Sequence, residues 1–351
     1  AGLDGPPPLG SSRDGAALVG GAGSEDAEHP SQTRAEGPLF LQYRLVRIRD
    51  RCLSQGLVDK LTSEERWEDL DRLQDLAQPE TSHEWLWAIH PNKSRRMADD
   101  VYVAAVRLRL GCGGPEEPTL CGNCGKAILG CSGVHALLCA KGESTRGHND
   151  IRDELHSMAS TVHASAETEP EGLIPSHPLL RPADILTGAF HNGRLAAVDV
   201  GGICPSAAGA GQDCVVTMDT RKRERMRPHQ QELESGGIEY HPFAISCWGR
   251  LHPAASQMLH CLAKRKARRE GLACERAIFA RLLARVTAAV WTRAARMVLQ
   301  CRGKEDEDES EEVVGDDMTM VRAGSPGTAD LPALEAAPAA AHAGAPGAAT
   351  G

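Results

Sequence analysis

Aromatic residues are scarce in this sequence: twelve in 351 residues, or 3%. This scarcity argues against an aromatic-rich β-sandwich and against a surface that stacks the bases of single-stranded nucleic acid. No apolar run approaches the roughly 20 residues that cross a membrane. The basic and then apolar start of a signal peptide is also missing. We therefore expect an intracellular protein without a membrane span.

The net charge of −9 is unevenly distributed along the chain. Residues 303–351 hold eleven acidic and two basic residues, so residues 1–302 sum to zero. Within them, residues 252–302 carry eleven Lys and Arg against two acidic residues. An acidic tail attached to a basic middle leaves nucleic acid open as a partner, although the overall charge disfavours it.

Composition and hydrophobic periodicity divide the chain into five parts. Residues 1–38 and 303–351 are rich in Gly, Pro and Ala, and the second also carries an acidic run, so both are predicted to be disordered. Residues 39–111 show helical spacing, with a helix predicted to stop at Gly56 and another to open at a capping box beginning at Thr62. A cysteine cluster occupies 112–145, and 146–302 reads as a domain of strands and helices.

The last of these parts has a local hairpin signal. Two apolar runs, 183–190 and 194–200, flank an Asn-Gly turn. Helices are predicted at 146–160, 220–234, 253–269 and 272–299, and a third strand at 238–246. The fold class is therefore α/β of the α+β type: a helical N-terminal region, a small zinc knuckle and a mixed sheet flanked by helices.

The cysteine cluster has the spacing of a zinc site. Cys121-x2-Cys124-x10-His135-x3-Cys139 supplies four ligands in two close pairs, the set that tetrahedral zinc prefers. Without a secretion signal, metal ligation is favoured over disulfides. Four unrelated residues in a cysteine-rich stretch, or ligand exchange with Cys112 or Cys131, are the alternatives. Because no open coordination position is implied, a structural zinc is favoured over a catalytic one.

Two aspartates lie at the ends of the predicted hairpin strands, Asp184 at the start of one and Asp199 at the end of the other. Burying a charge in an apolar strand is costly, and two carboxylates side by side suit Mg²⁺. Lys222, on the next helix, would stabilise charge on a scissile phosphate or orient the attacking water. The alternative is that Asp184 caps or pairs locally and Asp199 ends a strand at a solvent edge.

The order of these features resembles the C-terminal part of the polyproteins of site-specific non-LTR retrotransposons. In that family a CCHC knuckle precedes a restriction-like endonuclease of the PD-(D/E)xK fold. The resemblance covers about 39–302 in order. It is carried by the knuckle and by a set of short segments: Trp85-Leu86, Arg107–Gly111, Arg146–Asp153, Arg181–Asp184, Val198–Val200, Gly236–Ser246 and Gly249–Pro253.

The resemblance implies roles for individual residues. Asp184 matches the Asp of the PD motif, with Ala183 interposed, and Asp199 matches the second metal-ligating acid. The usual Lys two positions later is replaced by Gly201, and Lys222 matches a lysine on the following helix. That helix carries a K-x3-Y pattern in the family, whereas this chain has Met226 at the Tyr position. An earlier acid of the site corresponds to Glu169 or Glu171.

The resemblance also implies which residues contact nucleic acid. Arg146, His148 and Arg152 match the Arg/His segment after the knuckle. The basic segments 221–227 and 264–269 are predicted to bind phosphates, the alternative for the second being a solvated helix face. The candidate residues are Arg146, His148, Arg152, Arg221, Arg223, Lys264, Arg265 and Lys266.

The leading hypothesis is a Mg²⁺-dependent DNA endonuclease module with a structural zinc knuckle, located in the nucleus. No Phe/Tyr-x-Asp-Asp polymerase motif is present, so the chain corresponds to the distal part of such an element, and an upstream reverse transcriptase domain is expected. DNA is the expected partner, with RNA as an alternative. The rivals are a catalytically inactive nucleic-acid-binding remnant and a purely structural zinc protein.

Overall fold

A mixed four-stranded sheet forms the centre of the fold. The computed structural model describes residues 38–88, 90, 92–139, 141–191 and 194–302. Residues 1–37 and 303–351 of the two predicted disordered ends, and the Asn-Gly turn, lie outside these residues, whereas Pro38 is the first residue of a helix. The sheet order is β3-β4-β5-β6, with β3 to β5 antiparallel and β6 parallel to β5. The strands are β3 (Glu167–Thr168), β4 (Ile185–His191), β5 (Arg194–Ile203) and β6 (Ile238–Ser246).

Helices cover both faces of this sheet, which confirms the predicted α+β class. On one face lie α5 (Lys141–Ser160), α8 (Pro253–Glu270) and α9 (Glu275–Arg302), and on the other lie α6 (Cys214–Met226) and α7 (Gln230–Ser235). Because both faces are covered, β5 is buried along most of its length, as a run of small apolar residues allows.

Alternation along β5 decides which side chains meet which helices. Val198 and Val200 pack into the core formed with α5, α8 and α9. Ala197 packs on the other face with Met226 of α6 and with α7. Asp199 shares the parity of Ala197 and therefore faces α6.

The region before the sheet is helical, as predicted. It contains α1 (Pro38–Ser63), α2 (Trp67–Leu76) and α3 (Asp99–Arg109), with short 3-10 helices at Glu84–Trp87 and Lys93–Arg95. Trp85 stacks on Trp291 of α9, with ring centroids 4.7 Å apart, so this region is anchored to the longest helix of the sheet domain.

Two predicted helix boundaries in this region are wrong. The first helix does not stop at Gly56 but continues to Ser63, because a single exposed glycine costs a helix only about 1 kcal/mol. Thr62 does not open the next helix: its hydroxyl donates to the Val58 carbonyl inside α1. Arg66 takes the N-cap position of α2 without a side-chain cap.

The helix predicted at 220–234 is also wrong in its boundaries. Helix α6 begins at Cys214, where the Asp213 carboxylate caps it by accepting from the Val215 and Val216 N–H groups. Pro228 cannot donate a helical hydrogen bond, and the chain passes through a 3-10 turn at Arg227–His229 before α7. Helix α6 therefore reaches further back than predicted and carries Lys222 in its third turn.

A buried ionic network ties the helical region to the start of α6. Arg250 Nε lies 2.6 Å from Asp75 Oδ1, and its terminal nitrogens lie 3.0 Å from the Asp213 carboxylate. Ser246, the last residue of β6, donates its hydroxyl to Asp75 at 2.5 Å. Asp213, which caps α6, is therefore bound by Arg250, and Arg250 is also paired with Asp75 of α2.

Strand β6 is an edge of the described sheet. Its register with β5 places Tyr240 opposite Ala197 and Pro242 opposite Asp199. Since Tyr240 and Pro242 are two residues apart, they share a face of the strand.

Candidate nuclease site and metal centre

The two predicted aspartates lie next to each other. The Asp184 N–H donates to the Val198 carbonyl at 2.9 Å, and Ile185 pairs with Val198 in antiparallel register. This register puts Asp184 directly across from Asp199. The Asp199 residue is 5% exposed and Asp184 is half-buried.

Asp199 is oriented by three donors. Lys222 Nζ lies 2.5 Å from its Oδ1. Arg225 and the Tyr240 hydroxyl each donate to its Oδ2 at 2.5 Å. Burial and the charge of Asp199 raise the pKa of Tyr240, so this hydroxyl keeps its proton and acts as a donor.

Asp184 is oriented from the other side. His148 Nε2, on α5, lies 3.1 Å from Asp184 Oδ1, and the Val200 N–H donates to Oδ2 at 2.6 Å. Burial alone would raise the pKa of Asp184. The hydrogen bond and charge of His148, the Val200 N–H and the charge of Lys222 outweigh burial and lower it. Asp184 is therefore held ionised.

Two consecutive glycines of β5 make room for cations from opposite faces. A Cβ at Gly201 would come within 2.3 Å of Lys222 Cε, and a Cβ at Gly202 within 2.4 Å of an Arg293 Nη1. Arg293 also passes Gly147 of α5, where a Cβ would meet its Cγ at 2.2 Å. Because Gly201 has no side chain, the Lys222 side chain can pass this position and reach Asp199.

Arg293 forms no ion pair with any of the described residues. One of its terminal nitrogens donates to Ser144 Oγ at 2.7 Å, while its buried Nε has no hydrogen-bond partner. Burial lowers the pKa of this guanidinium. Arg293 is thus a half-buried arginine without a carboxylate partner among the described residues, and it lies on the face of β5 opposite to Lys222.

The predicted acidic residues Glu169 and Glu171 pair with arginines and do not join the two aspartates. Glu169 accepts bonds from Arg152 and Arg181, and Glu171 pairs with Arg181 at 2.5 Å, so neither carboxylate contacts the two aspartates. The Glu169 N–H, however, donates to the Asp184 carbonyl at 2.8 Å. Arg152 is therefore tied to the chain segment beside the site through an acidic residue.

The predicted phosphate-binding residues differ in how far they are engaged within the chain. Arg146 is well exposed and 3.4 Å from Glu143, and Lys264 is exposed on α8. The others contact acceptors nearby: Arg221 the Gly209 carbonyl, Arg223 the Asp219 carboxylate, Arg265 the Gly188 carbonyl and Lys266 the Glu270 carboxylate.

Sequence reasoning did not single out Arg225, Tyr240 or Arg293. The resemblance implies a tyrosine at position 226, but Met226 there is buried in the core, and Tyr240 of β6 supplies a hydroxyl to Asp199 instead. The only sequence signal for Tyr240 is that it is a tyrosine in a predicted strand. Its role depends on the parallel pairing of β5 and β6, which local sequence does not encode.

The four predicted zinc ligands form a cluster that can hold a metal such as zinc. Their ligand atoms all lie within 4.8 Å of one another. The hairpin of β1 (Thr119–Leu120) and β2 (Ile128–Leu129) presents Cys121 and Cys124, and α4 (Val134–Cys139) presents His135 and Cys139 on one helical turn.

Backbone N–H groups favour the thiolate form of Cys124. Those of Ala127 and Lys126, followed by smaller contributions from His135, lower the pKa of Cys124 to about 6. Cys112 and Cys131 are exposed and outside the group of four, and the Cys112 thiol donates to the Arg107 carbonyl. The cluster is therefore the predicted set of four.

The cysteine cluster is seated on the end of α9. The Gly122 N–H donates to the Cys301 carbonyl at 2.8 Å. One Arg302 terminal nitrogen lies 2.5 Å from the Gly113 carbonyl and 2.8 Å from that of Gly114. The metal centre and the sheet domain therefore share one helix.

The sequence matches no model of a known protein family, and a search of curated proteins finds no significant match. Among the described residues, no helix combines the length and the apolar character that a bilayer crossing requires. The case for function therefore rests on the geometry of the site.

Proposed function

We propose that this chain is a metal-dependent endonuclease that hydrolyses DNA phosphodiesters, with an accessory zinc knuckle. The observation that carries the proposal is the convergence of Asp184, which directly precedes β4, with Asp199 in the interior of β5 and Lys222 of α6. Two adjacent carboxylates with a lysine beside them are the side chains that phosphodiester hydrolysis with a hard divalent cation needs.

The donor set fits Mg²⁺. A carboxylate has about four acceptor positions; Asp184 receives two hydrogen bonds and Asp199 three. Each therefore keeps a lone pair for a cation, and Mg²⁺ is usually held by one or two carboxylates together with water and phosphate oxygens. When bound there, Mg²⁺ neutralises phosphate charge and makes water more acidic.

The chain's own residues supply orientation and positive charge. His148 and the Val200 N–H fix the Asp184 carboxylate, and Tyr240 fixes that of Asp199. Lys222 is placed to stabilise the negative charge that grows on the phosphate oxygens as water attacks phosphorus and the P–O bond breaks.

The zinc knuckle and the exposed basic residues would contribute to DNA affinity. We assign the zinc a structural role, because the cluster offers four protein ligands and no open position. Arg146 lies on α5 ahead of His148, so positive charge continues from the aspartates along that helix. In this proposal the partner is nuclear DNA, with RNA as the alternative, and an upstream reverse transcriptase domain would use the nick.

A second candidate is a nucleic-acid-binding protein that keeps the fold without activity. The observation that favours it is the set of contacts at Asp199, whose two oxygens already face the cations Lys222 and Arg225. Their charges compete with a divalent cation for the same carboxylate. The two candidates differ in hydrolysis but share DNA binding.

Nicking of supercoiled plasmid separates the two. The full chain is incubated with plasmid in Mg²⁺ or Mn²⁺, alongside Asp184→Asn, Asp199→Asn and Lys222→Met. We expect each variant to lose nicking by at least about 100-fold, the scale of a lost catalytic group. Glu224→Gln, an exposed change on the same helix, is the matched control and keeps wild-type activity.

DNA affinity is measured in parallel by fluorescence anisotropy across a salt series. Salt-dependent binding without nicking in any protein would support the inactive remnant. Nicking that persists equally in all three variants would reveal a contaminating nuclease and overturn the proposal. Zinc content and circular dichroism establish that each variant is folded.

A further inference from the structure

A second cluster of metal-ligating side chains lies outside both sites described above. His177, in the loop between β3 and β4, meets His229 and Glu232 at the junction of α6 and α7. One ligand atom from each of the three lies within 4.8 Å of the others. The imidazole centroids are 4.9 Å apart with an interplanar angle of 70°, so the rings do not stack on each other's faces.

A serine arranges two of these side chains. The Ser176 hydroxyl donates to Glu232 Oε1 at 2.5 Å, and the Ser176 N–H donates to Oε2 at 2.9 Å. With its proton committed to Glu232, the hydroxyl oxygen accepts from His177 Nδ1, 2.9 Å away. These two hydrogen bonds place the His177 proton on Nδ1 and leave the Nε2 lone pair available. Hydrogen bonds to the second ring nitrogen orient histidine ligands at metal sites in the same way.

Two imidazoles and one carboxylate suit a transition metal. Neutral imidazole is a borderline ligand that binds Zn²⁺ well, whereas Mg²⁺ prefers oxygen alone. Each Glu232 oxygen accepts one bond from Ser176 and keeps capacity for a metal.

A metal bound by this cluster would connect two elements of the fold that are far apart in sequence. His177 belongs to the segment that leads from Glu169 into Asp184, and His229 follows the helix that carries Lys222. Apart from the cluster itself, these elements are joined by the Ser176 bonds to Glu232 and by apolar packing of Ile174 with Met226 and Leu233. A shared metal would join the segment before Asp184 to the helix junction after Lys222.

We propose that His177, His229 and Glu232 form a second transition-metal site, selective for Zn²⁺ over Mg²⁺, that clamps the β3–β4 loop onto the α6–α7 junction. With three protein ligands, the site keeps one position for water in tetrahedral coordination. This site is independent of the knuckle, which contains thiolates, and of the aspartate pair, which offers only oxygen ligands.

Zinc titration of the full chain tests the proposal. Protein whose knuckle already holds one Zn²⁺ is titrated with Zn²⁺ by calorimetry, with millimolar Mg²⁺ present. We expect one further Zn²⁺ per chain in the wild type and none in His177→Ala or His229→Ala. The matched control is His83→Ala, which removes an exposed imidazole elsewhere and keeps the second equivalent.

Two further measurements keep the result unambiguous. Circular dichroism of the one-zinc state reports whether a variant is folded, and Glu232→Gln gives a near-isosteric third variant that should weaken binding at least about tenfold. In the wild type, the second equivalent should raise the thermal midpoint, and His229→Ala should abolish that rise.

Two outcomes overturn the clamp. One is a second equivalent that is retained in both histidine variants. The other is a second equivalent lost in Asp199→Asn but retained in His229→Ala, which would place the metal at the aspartate pair. Because no step of the titration involves DNA, failure of the proposed nuclease and failure of this site are scored separately.

Discussion

At the scale of single residues, the arrangement around Gly201 explains how the lysine reaches the site. A lysine on the strand two positions after Asp199 would approach the carboxylate from β5 itself. Here that position has no side chain, and Lys222 crosses the vacated space from α6. Position 201 and position 222 therefore form a matched pair, and a side chain at 201 is incompatible with the observed Lys222 conformation.

Gly201→Ala tests this pairing. The new Cβ would come within 2.3 Å of Lys222 Cε, so the ammonium must withdraw from Asp199. Under the proposed function we expect nicking to fall by about 100-fold, as for other displacements of about 1 Å in active sites. Gly142→Ala, where a Cβ meets nothing within 4 Å, serves as the control. Plasmid nicking provides the readout, and full activity in Gly201→Ala would refute the pairing.

Sequence predicted part of this site and missed part of it for physical reasons. Asp184, Asp199 and Lys222 were predicted because their motifs are local and the hairpin register follows from alternation. Tyr240 was missed because its contact depends on parallel pairing between strands that are separated by two helices. Arg225 was missed because a basic residue on a polar helix gives no signal of its partner.

At the scale of elements, helix α5 is fixed by one buried carboxylate. Glu154 lies 2.7 Å from an Arg285 terminal nitrogen on α9, 2.6 Å from His90 Nε2 and 3.2 Å from an Arg95 terminal nitrogen. Burial opposes the ionised form, but Arg285 and His90 lower the pKa of Glu154 below its ordinary value. The same helix carries His148, so this anchor also positions the residue that orients Asp184.

Glu154→Gln should destabilise the fold by about 3 kcal/mol at pH 7, because removing one partner leaves buried cations unpaired. The depressed pKa of Glu154 contributes stability that is complete above the unfolded pKa, near pH 4.5, and is lost as the pH falls through the folded value. The difference between wild type and variant should therefore shrink as the pH falls below about 4.5, the unfolded pKa, and through the lowered folded pKa of Glu154.

Urea unfolding at several pH values measures this difference. Glu84→Gln, an exposed change near the same surface, should remain within about 0.5 kcal/mol of wild type. A Glu154→Gln effect that is constant across the pH range would contradict the assignment of the stabilisation to the ionised carboxylate.

The boundaries of elements were predicted less well than their existence. Strand β6 was predicted at 238–246, as observed, because apolar residues with turn signals at both ends define it. Helix α6 was predicted six residues too short at its start, since its cap, Asp213, lies in a loop of small residues. The paired Arg250 that holds this cap comes from beyond β6, too far along the sequence for a local pattern to reveal.

At the scale of the whole described molecule, α9 connects the metal centre to the sheet. Its Trp291 stacks on the helical region, Arg293 reaches the sheet beside Gly202, and Cys301 receives the N–H of Gly122. The cysteine cluster therefore shares α9 with the sheet domain, and we expect the loss of a metal bound by the cluster to extend into α9.

Removal of zinc with a strong chelator should lower the thermal midpoint by more than about 5 °C, because metal binding to such a cluster is coupled to folding. Hydrogen exchange should rise at the Gly122 amide and along the last turn of α9. Cys124→Ala should reproduce both effects, and Cys112→Ala, an exposed cysteine outside the cluster, should reproduce neither. If hydrogen exchange in α9 is unchanged after zinc removal, the knuckle is attached to α9 but does not stabilise it.

The proline in β6 has a consequence for the behaviour of the protein at high concentration. A nine-residue strand at the border of a sheet is a template on which another chain can extend the hydrogen-bonded ladder. Pro242 stands midway along β6 and has no N–H to offer, so an incoming strand finds the row of donors interrupted. Pro242, which lies opposite the candidate site residue Asp199, therefore also disfavours edge-to-edge aggregation.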